Sequence, residues 1–262
     1  MDGEDDIQQV RLAPGVRVVR LGRGLVQVGL EHARAVRLPH SPETEAVLAA
    51  AAGGSRLPEG DAARALAGEL LRRGLAVPVL GTARAPATVA VVGQAGIDPL
   101  PLLEAAGLRC TADAGEAEVV LLASDGELDR DLLTPVIRAQ RPHLPVRLVD
   151  GIALVGPFGV PGRSACLRCV DLHRAADDSA HLLLVDRYSR AGAGAADPVL
   201  GTLATAWAVR DLVTWTAGGC PSTWSRTVRI DPALTEVSAQ TWWRHPECGC
   251  TWGQGVSATM EA

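Results

Sequence analysis

Four of the six cysteines fall in two tight pairs, Cys166 and Cys169 in "ACLRCVDLHR" and Cys248 and Cys250 in "HPECGC". A C-x-x-C and a C-x-C each bring two thiolates from one turn onto one metal at about 2.3 Å, so two such knuckles complete a tetrahedral zinc site. With thiolate at all four positions no place is left for water, so the expected zinc is structural and staples the C-terminal end to the rest of the chain. The competing readings are two disulfides, four unrelated buried thiols, or a redox dithiol at Cys166 and Cys169. Prolines, glycines and arginines around both pairs form turns rather than core, which favours the metal. His245 could replace one sulfur, although a turn or a supporting role beside the site fits it better. Cys110 and Cys220 stand alone and read as small buried apolar residues.

A second stretch, "VAVVGQAGID", has the position of a dinucleotide fingerprint, with a strand running into Gly93. Gly96 is present as well, but Ala95 stands where the second glycine lets the backbone approach a pyrophosphate. Asp98 takes the last motif position, where its charge competes with phosphate for the helix N-terminus. Asp113 lies about twenty residues on, where an acid that binds a ribose is expected. Gly93, Gly96 and Asp113 therefore read as a vestigial cofactor site, with ATP an unfavoured ligand. His173 and Asp171 invite a general-base reading, yet both sit directly after the first knuckle, where a surface-bonded histidine at a helix start is the plainer assignment.

Composition narrows the chemistry further. The 25 basic residues are all arginine, and the chain contains neither lysine nor asparagine. P-loop phosphate binding and Schiff-base catalysis both use a lysine, so the composition argues against both. A net charge of −5 offers no basic footprint for nucleic acid. The acidic start "MDGEDDIQQ" is unlike a signal peptide, and no apolar run approaches the roughly 20 residues that span a bilayer. The expected setting is the cytoplasm, with reduced thiols and no membrane partner.

The elements that must position these residues separate into two groups. Residues 16–38 read as three short alternating strands, "VRVVRL", "LVQVGL" and "ARAVRL", in an antiparallel meander. Ser41 and Pro42 open a helix that Gly53 and Gly54 stop, and "EGDAARALAGELLRRGL" gives a second with Leu66, Leu70 and Leu71 facing inward. "VPVLGTARAPA" has linker composition, so the domains are placed at 1–80 and 88–262, with a linker over 81–87. From residue 88 onward, continuous apolar strands ("TVAVVG", "EVVLLAS", "PVRLVDG") alternate with helices over 99–106 and 130–140, as in a parallel sheet covered on both faces. "SRAGAGAADP" reads as a mobile loop. Asp197 and Pro198 then open a helix to residue 216, and "SRTVRID" with "EVSAQTWWR" form a hairpin that delivers the second cysteine pair.

From residue 88 to 252 these motifs resemble the ThiF-like fold of ubiquitin-activating-type adenylyltransferases. "GVPGRSACLRC" and the "HPxCGC" ending look most like the cyclodehydratase-associated, leader-peptide-binding subgroup of azol(in)e-modified peptide pathways. Residues 16–75 resemble that subgroup's PqqD-like, winged-helix-like recognition element of three strands and three helices. The fold so implied is α/β, with a peptide-recognition module followed by a degenerate Rossmann-like ThiF domain carrying a four-cysteine zinc site. In that family a leader peptide adds as an extra strand beside the third strand and packs on the last helix. Carried over, Ala35, Val36, Arg37 and Leu38 offer the edge, and Leu66, Glu69, Leu70 and Arg73 line the groove. The eroded phosphate loop implies that adenylation is lost. The partners implied are a peptide or protein substrate and a YcaO-type cyclodehydratase. A homodimer is also expected, packed through the alanine-rich helix "LGTLATAWAVRDLVTW".

Overall fold

The computed structural model describes residues 9–22, 24–79, 87–94, 96–192, 194 and 196–251. The chain divides into two compact units, residues 1–83 and 84–262. Residues 81–86 of the expected linker lie outside the described residues.

In the first unit the meander forms as the alternation predicts, with β2 (Val18–Gly22), β3 (Leu25–Val28) and β4 (Val36–Pro39) antiparallel in that order. Val26 and Val28 are buried, whereas Gln27 between them faces away from the core. The Ser41 hydroxyl accepts the Thr44 N–H at 3.1 Å to start α1 (Pro42–Gly53), which Gly54 closes. The second helix, α2 (Asp61–Arg72), buries Ala63, Ala67 and Leu70. Two helices, not three, follow the meander among the described residues. Sequence pattern missed one pairing: β1 (Val10–Leu12) runs antiparallel to β5 (Ala76–Pro78), so Val77 and Pro78 of the linker-like stretch "VPVLGTARAPA" belong to a sheet of the first unit.

The second unit is a seven-stranded sheet in the order β12-β11-β10-β9-β8-β6-β7. Four strands are parallel: β6 (Thr88–Gln94), β7 (Arg109–Thr111), β8 (Val119–Ser124) and β9 (His143–Val149). The other three, β10 (Ile152–Val155), β11 (Arg226–Ile230) and β12 (Val237–Thr241), are antiparallel, so β10 joins the expected parallel strands to the expected hairpin in one mixed sheet. The switch occurs at Asp150 and Gly151, both at positive φ (53° and 75°), which join β9 to β10 as a two-residue hairpin. Asp-Gly between apolar runs is a strong hairpin signal that the parallel reading passed over.

Both faces of the sheet are covered. In β8, Val119 and Leu121 join the core under α7 (Pro198–Thr216), whereas Val120 and Leu122 join the core with α4 (Arg130–Arg138) and the cysteines. The short α3 (Leu100–Ala105) follows β6, while α5 (Leu167–Asp177) and α6 (His181–Arg190) follow β10. The alanine-rich face of α7, expected at a dimer interface, is spent on the sheet: Leu200, Ala204, Ala208 and Leu212 are buried in that core. Among the described residues no helix is long and apolar enough to cross a membrane.

Candidate functional site

The two cysteine pairs meet. Cys166 is the N-cap of α5 and Cys169 lies in its first turn, with the Cys169 N–H on the Cys166 carbonyl at 3.0 Å. The other pair arrives from the end of β12, where the Cys248 N–H bonds the His245 carbonyl at 3.0 Å. All four side chains are fully buried, and their sulfurs lie within 4.8 Å of one another. Cys166 Sγ is 3.8 Å from Cys169 and 3.6 Å from Cys248, and Cys169 is 3.8 Å from Cys250. Ligands at about 2.3 Å around a tetrahedral ion are separated by about 3.8 Å, so the cluster has the dimensions of a metal site and not of two disulfides near 2.05 Å. Hydrogen bonds among the sulfurs, together with burial, hold the Cys166 thiol well above its ordinary range, and the bonds Cys169 receives hold it below. Four thiolates at this spacing need a cation between them.

Neighbouring contacts place the knuckles without entering the cluster. His143 and Gly159 exchange backbone bonds at 2.8 Å, and the Ser164 hydroxyl bridges the Phe158 carbonyl and the Val160 N–H, fixing the loop before Cys166. His143 is fully buried, with Nδ1 on the Arg141 carbonyl at 2.9 Å; burial pushes its pKa down. Trp242 donates to Thr227 and stacks over His173, whose Nε2 bonds the Trp243 carbonyl at 2.9 Å. His173 thus ties α5 to the hairpin. The His245 Nδ1 accepts the Glu247 N–H at 3.2 Å, a turn contact, and His245 is outside the metal cluster. Cys110 is half-buried against the sheet core, whereas Cys220 is exposed and not the buried residue expected.

Asp171, weighed in the sequence beside His173 as a candidate base, sits in an ion pair. It is buried, and both its oxygens meet Arg130, at 2.6 Å (Nε) and 2.9 Å (Nη2). Arg130 also binds Glu127 at 2.7 Å, and Glu127 takes the buried Arg147 at 2.8 Å through each oxygen. Two carboxylates and two guanidiniums thereby lock β9, α4 and α5 together beside the metal cluster. None of the four was legible as a group from sequence, since the pairs span up to 41 residues.

The crevice at the ends of β6 and β8 is the topological switch point of the parallel strands, because β7 lies to one side of β6 and β8 to the other. Open α/β sheets bind ligands at this point. Here the chain fills it. Gly93 is at φ 98°, and a Cβ there would meet the Ala123 carbonyl oxygen at 2.3 Å, so this glycine is required by the strand contact alone. The Gly96 N–H, which a phosphate would use, donates to the Asp125 carboxylate. Ile97 packs against Gly201 of α7, where a Cβ would come within 2.8 Å of it. Asp98 accepts the Leu100 N–H at 3.0 Å, and Asp113, past the end of β7, is turned onto the Gly115 N–H at 2.7 Å. Ala95 is outside the described residues. Beside the crevice, a cleft of about 350 Å³ is lined by Asp125, Glu127, Asp150 and Asp197.

In the first unit, β4 is a free edge. The Gly29 N–H bonds the Arg17 carbonyl and the His40 N–H bonds the Gly24 carbonyl, and antiparallel alternation from these bonds assigns the rest. Val36 and Leu38 turn their backbone groups into β3, whereas Ala35 and Arg37 turn theirs outward. The Ala35 N–H bonds the Glu31 carbonyl at 2.8 Å, and its carbonyl accepts from Arg73 at 3.3 Å. Arg73 is held in turn by Glu69 at 2.5 Å. Leu70 is fully buried, while Leu66, Val36 and Leu38 are partly buried against the same core.

No family model matches the chain, and no curated protein matches it by sequence. Solved structures match at low identity. The heterocyclase TruD is 18% identical with a TM-score of 0.61, over 93% of this chain and 43% of TruD. A heterocyclase in complex with substrate and cofactor is 14% identical, with a TM-score of 0.60, over 93% of this chain and 40% of that one. E. coli MccB, in a crystal structure with MccA, is 14% identical with a TM-score of 0.54, over 92% of this chain and 99% of MccB. The chain thus spans under half the length of the heterocyclases it matches. What it shares with these heterocyclase and microcin-biosynthesis proteins is their ThiF-like fold.

Proposed function

We propose that this protein is a non-catalytic scaffold that captures an extended precursor (leader) peptide and presents it to a YcaO-type cyclodehydratase in ribosomal peptide natural-product biosynthesis. In this reading the first unit is the PqqD-like recognition module and zinc staples the second. The observation that carries the reading is the crevice, where the carboxylate of Asp125 already takes the Gly96 N–H and Ile97 packs onto Gly201. A fold built for adenylation and closed by its own side chains retains binding and placement as its uses. The likeness to MccB, solved with MccA, and to a heterocyclase solved with its substrate supports a peptide as the cargo.

The peptide adds beside β4 and packs on Leu66, Glu69 and Arg73, with Leu70 as support from beneath. Strand addition must displace Arg73 from the Ala35 carbonyl and pair with the open groups of Arg37. Arg37→Pro removes one outward N–H and leaves the sheet's own bonds intact. It is expected to weaken capture of a precursor peptide about tenfold, roughly 1.4 kcal/mol, in pull-downs from native lysate followed by titration of the captured peptide. Unchanged affinity would sink the β4 groove. Val36→Pro is the wrong test, because Val36 donates within the meander.

A second reading, an ATP-binding adenylyltransferase, draws on the switch-point crevice and on Asp113 at the end of β7. A ligand at a hundredfold over its Kd stabilises the state it binds by about 2.7 kcal/mol, or a Tm rise of about 5 °C or more. The scaffold reading expects millimolar ATP with magnesium to leave Tm unchanged; a rise of that size would replace it.

A further inference from the structure

The large sheet of the second unit ends on β12, and that end is bare. The Asp231 N–H bonds the Glu236 carbonyl at 3.2 Å and the Trp242 N–H bonds the Ser225 carbonyl at 2.7 Å, so antiparallel alternation turns Ser238 and Gln240 into β11. The N–H and C=O groups of Val237, Ala239 and Thr241 therefore point outward, and no hydrogen bond closes them among the described residues. The open run stops there, because the next outward carbonyl, that of Trp243, is taken by His173 Nε2.

Natural sheet edges are blunted by charge, proline or a bulge. β12 has none of these: it reads Val237, Ser238, Ala239, Gln240 and Thr241, its register on β11 is unbroken, and all but Ser238 are exposed. The large apolar residues along it are also uncovered, with Val237 54% and Trp243 77% exposed.

The charges around this edge are arranged for a copy of itself. In an antiparallel pair about a two-fold axis at Ala239, that residue faces its own counterpart and Val237 faces Thr241 of the other copy, so every outward group meets another. Like charges near the axis would oppose each other and forbid the pair, and residues 237–243 carry none. The first charges beyond are Glu236 at one end and Arg244 at the other, both exposed. Glu236 has no ion pair among the described residues, and Arg244 gives a 2.7 Å bond to the neutral Gly162 carbonyl. The axis sets Glu236 opposite Trp242 of the other copy and one diagonal step from its Arg244, within reach of a long side chain. A partner of a single sign would satisfy one end of β12 only.

We infer that β12 pairs with β12 of a second copy of this chain, antiparallel about Ala239, joining the two large sheets into one. Such a closure uses the same surface on both copies and stops at a dimer. The interface is independent of the β4 groove, and it leaves the apolar face of α7 in the core where it is buried.

The test uses the full chain. Sedimentation velocity across the micromolar range should show monomer and dimer and nothing larger. Ala239→Pro removes an outward N–H, leaves the ladder to β11 intact and should raise the dissociation constant at least about tenfold. Glu236→Arg and Arg244→Glu should each weaken the dimer about tenfold, because the pair occurs twice, and the double reversal should restore it. Residues directly opposite in such a pair have Cα atoms about 5.5 Å apart, within disulfide range. Ala239→Cys in a Cys220→Ser background should therefore cross-link two chains on mild oxidation, whereas the equally accessible Val237→Cys should not. The charge reversals and the cross-link decide the matter even where the proline variant does not fold. A chain that stays monomeric throughout that range, or a dimer untouched by a folded Ala239→Pro, would overturn the inference. So would a mass that grows past two chains, the mark of head-to-tail pairing, or a double reversal no tighter than the single ones. Faster cross-linking at Val237→Cys than at Ala239→Cys would overturn the register and with it the charge pairing.

Discussion

The purified protein should carry about one zinc per chain, the stoichiometry of a four-thiolate site, and Cys248→Ser should release it. Structural zinc in small domains contributes about 10–16 kcal/mol of apparent binding energy. Here the core under α7 contains none of the four cysteines, so only part of such a sum is at stake. A loss of about 4 kcal/mol is expected, lowering Tm by roughly 8–16 °C. The damage should be local. The segment after β12 is held by the Cys248 and Cys250 sulfurs and by Trp242 and His173, whereas β11 and β12 keep their pairing to β10. Hydrogen exchange should therefore rise in 244–251 and at the start of α5 before it rises in the sheet. Cys220→Ser, at an exposed thiol outside the cluster, serves as the control and should change neither metal content nor Tm. Metal-free protein of full stability, or a Cys248→Ser chain that retains its zinc with unchanged Tm, would end the metal assignment.

Glu127→Gln should cost about 3–5 kcal/mol, because it leaves Arg147 buried with its charge uncompensated. The Arg147 side chain is 3% exposed, and Glu127 supplies both of its carboxylate contacts. Replacing both residues by leucine should recover most of that loss, since an apolar pair does not have to be desolvated as ions. The same pair sets an acid limit. Burial pushes the Glu127 carboxyl upward, but Arg147 and Arg130 outweigh it and hold the group below its ordinary value of 4.5. The unfolded chain then binds the proton more readily than the folded one. The stability this group contributes is complete above the unfolded pKa and is lost as pH falls through the lower folded value. Urea unfolding between pH 3 and 7 should show the wild type losing stability below about pH 4.5 more steeply than Glu127→Gln. Parallel curves, or a cost under about 1 kcal/mol, would show that the network is not holding β9 to α4 and α5.

These two sites differ in how far sequence alone could reach them. The cysteine ligands were legible because each knuckle is a turn of three or four residues, and only thiolates at those spacings share an ion. The Glu127–Arg147 and Arg130–Asp171 pairs were not, because an acidic or basic residue in a sequence reads first as a solvated one. Burial is what changes their meaning, and burial is decided by which strands and helices stack.

The closed crevice shows the same division. The defective fingerprint was readable at Ala95 and Asp98, and it lowered the expectation of a nucleotide. The residue that takes the Gly96 N–H, Asp125, lies 29 positions away and carries no motif. Only the parallel pairing of β6 with β8 sets it opposite the loop.

Local chemistry, then, was settled by the sequence: where Ser41 and Pro42 start a helix and Gly54 ends it, where Asp197 caps α7, which strands form the meander, and which four sulfurs belong together. Each of these depends on neighbours a few residues apart. The tertiary structure alone decided that β10 turns back on β9 and joins the hairpin to the parallel strands. It also decided that Ala35 and Arg37, not Val36, turn their backbone outward. Such features depend on register and stacking between distant segments, and a one-residue shift in register would reverse every one of the edge assignments.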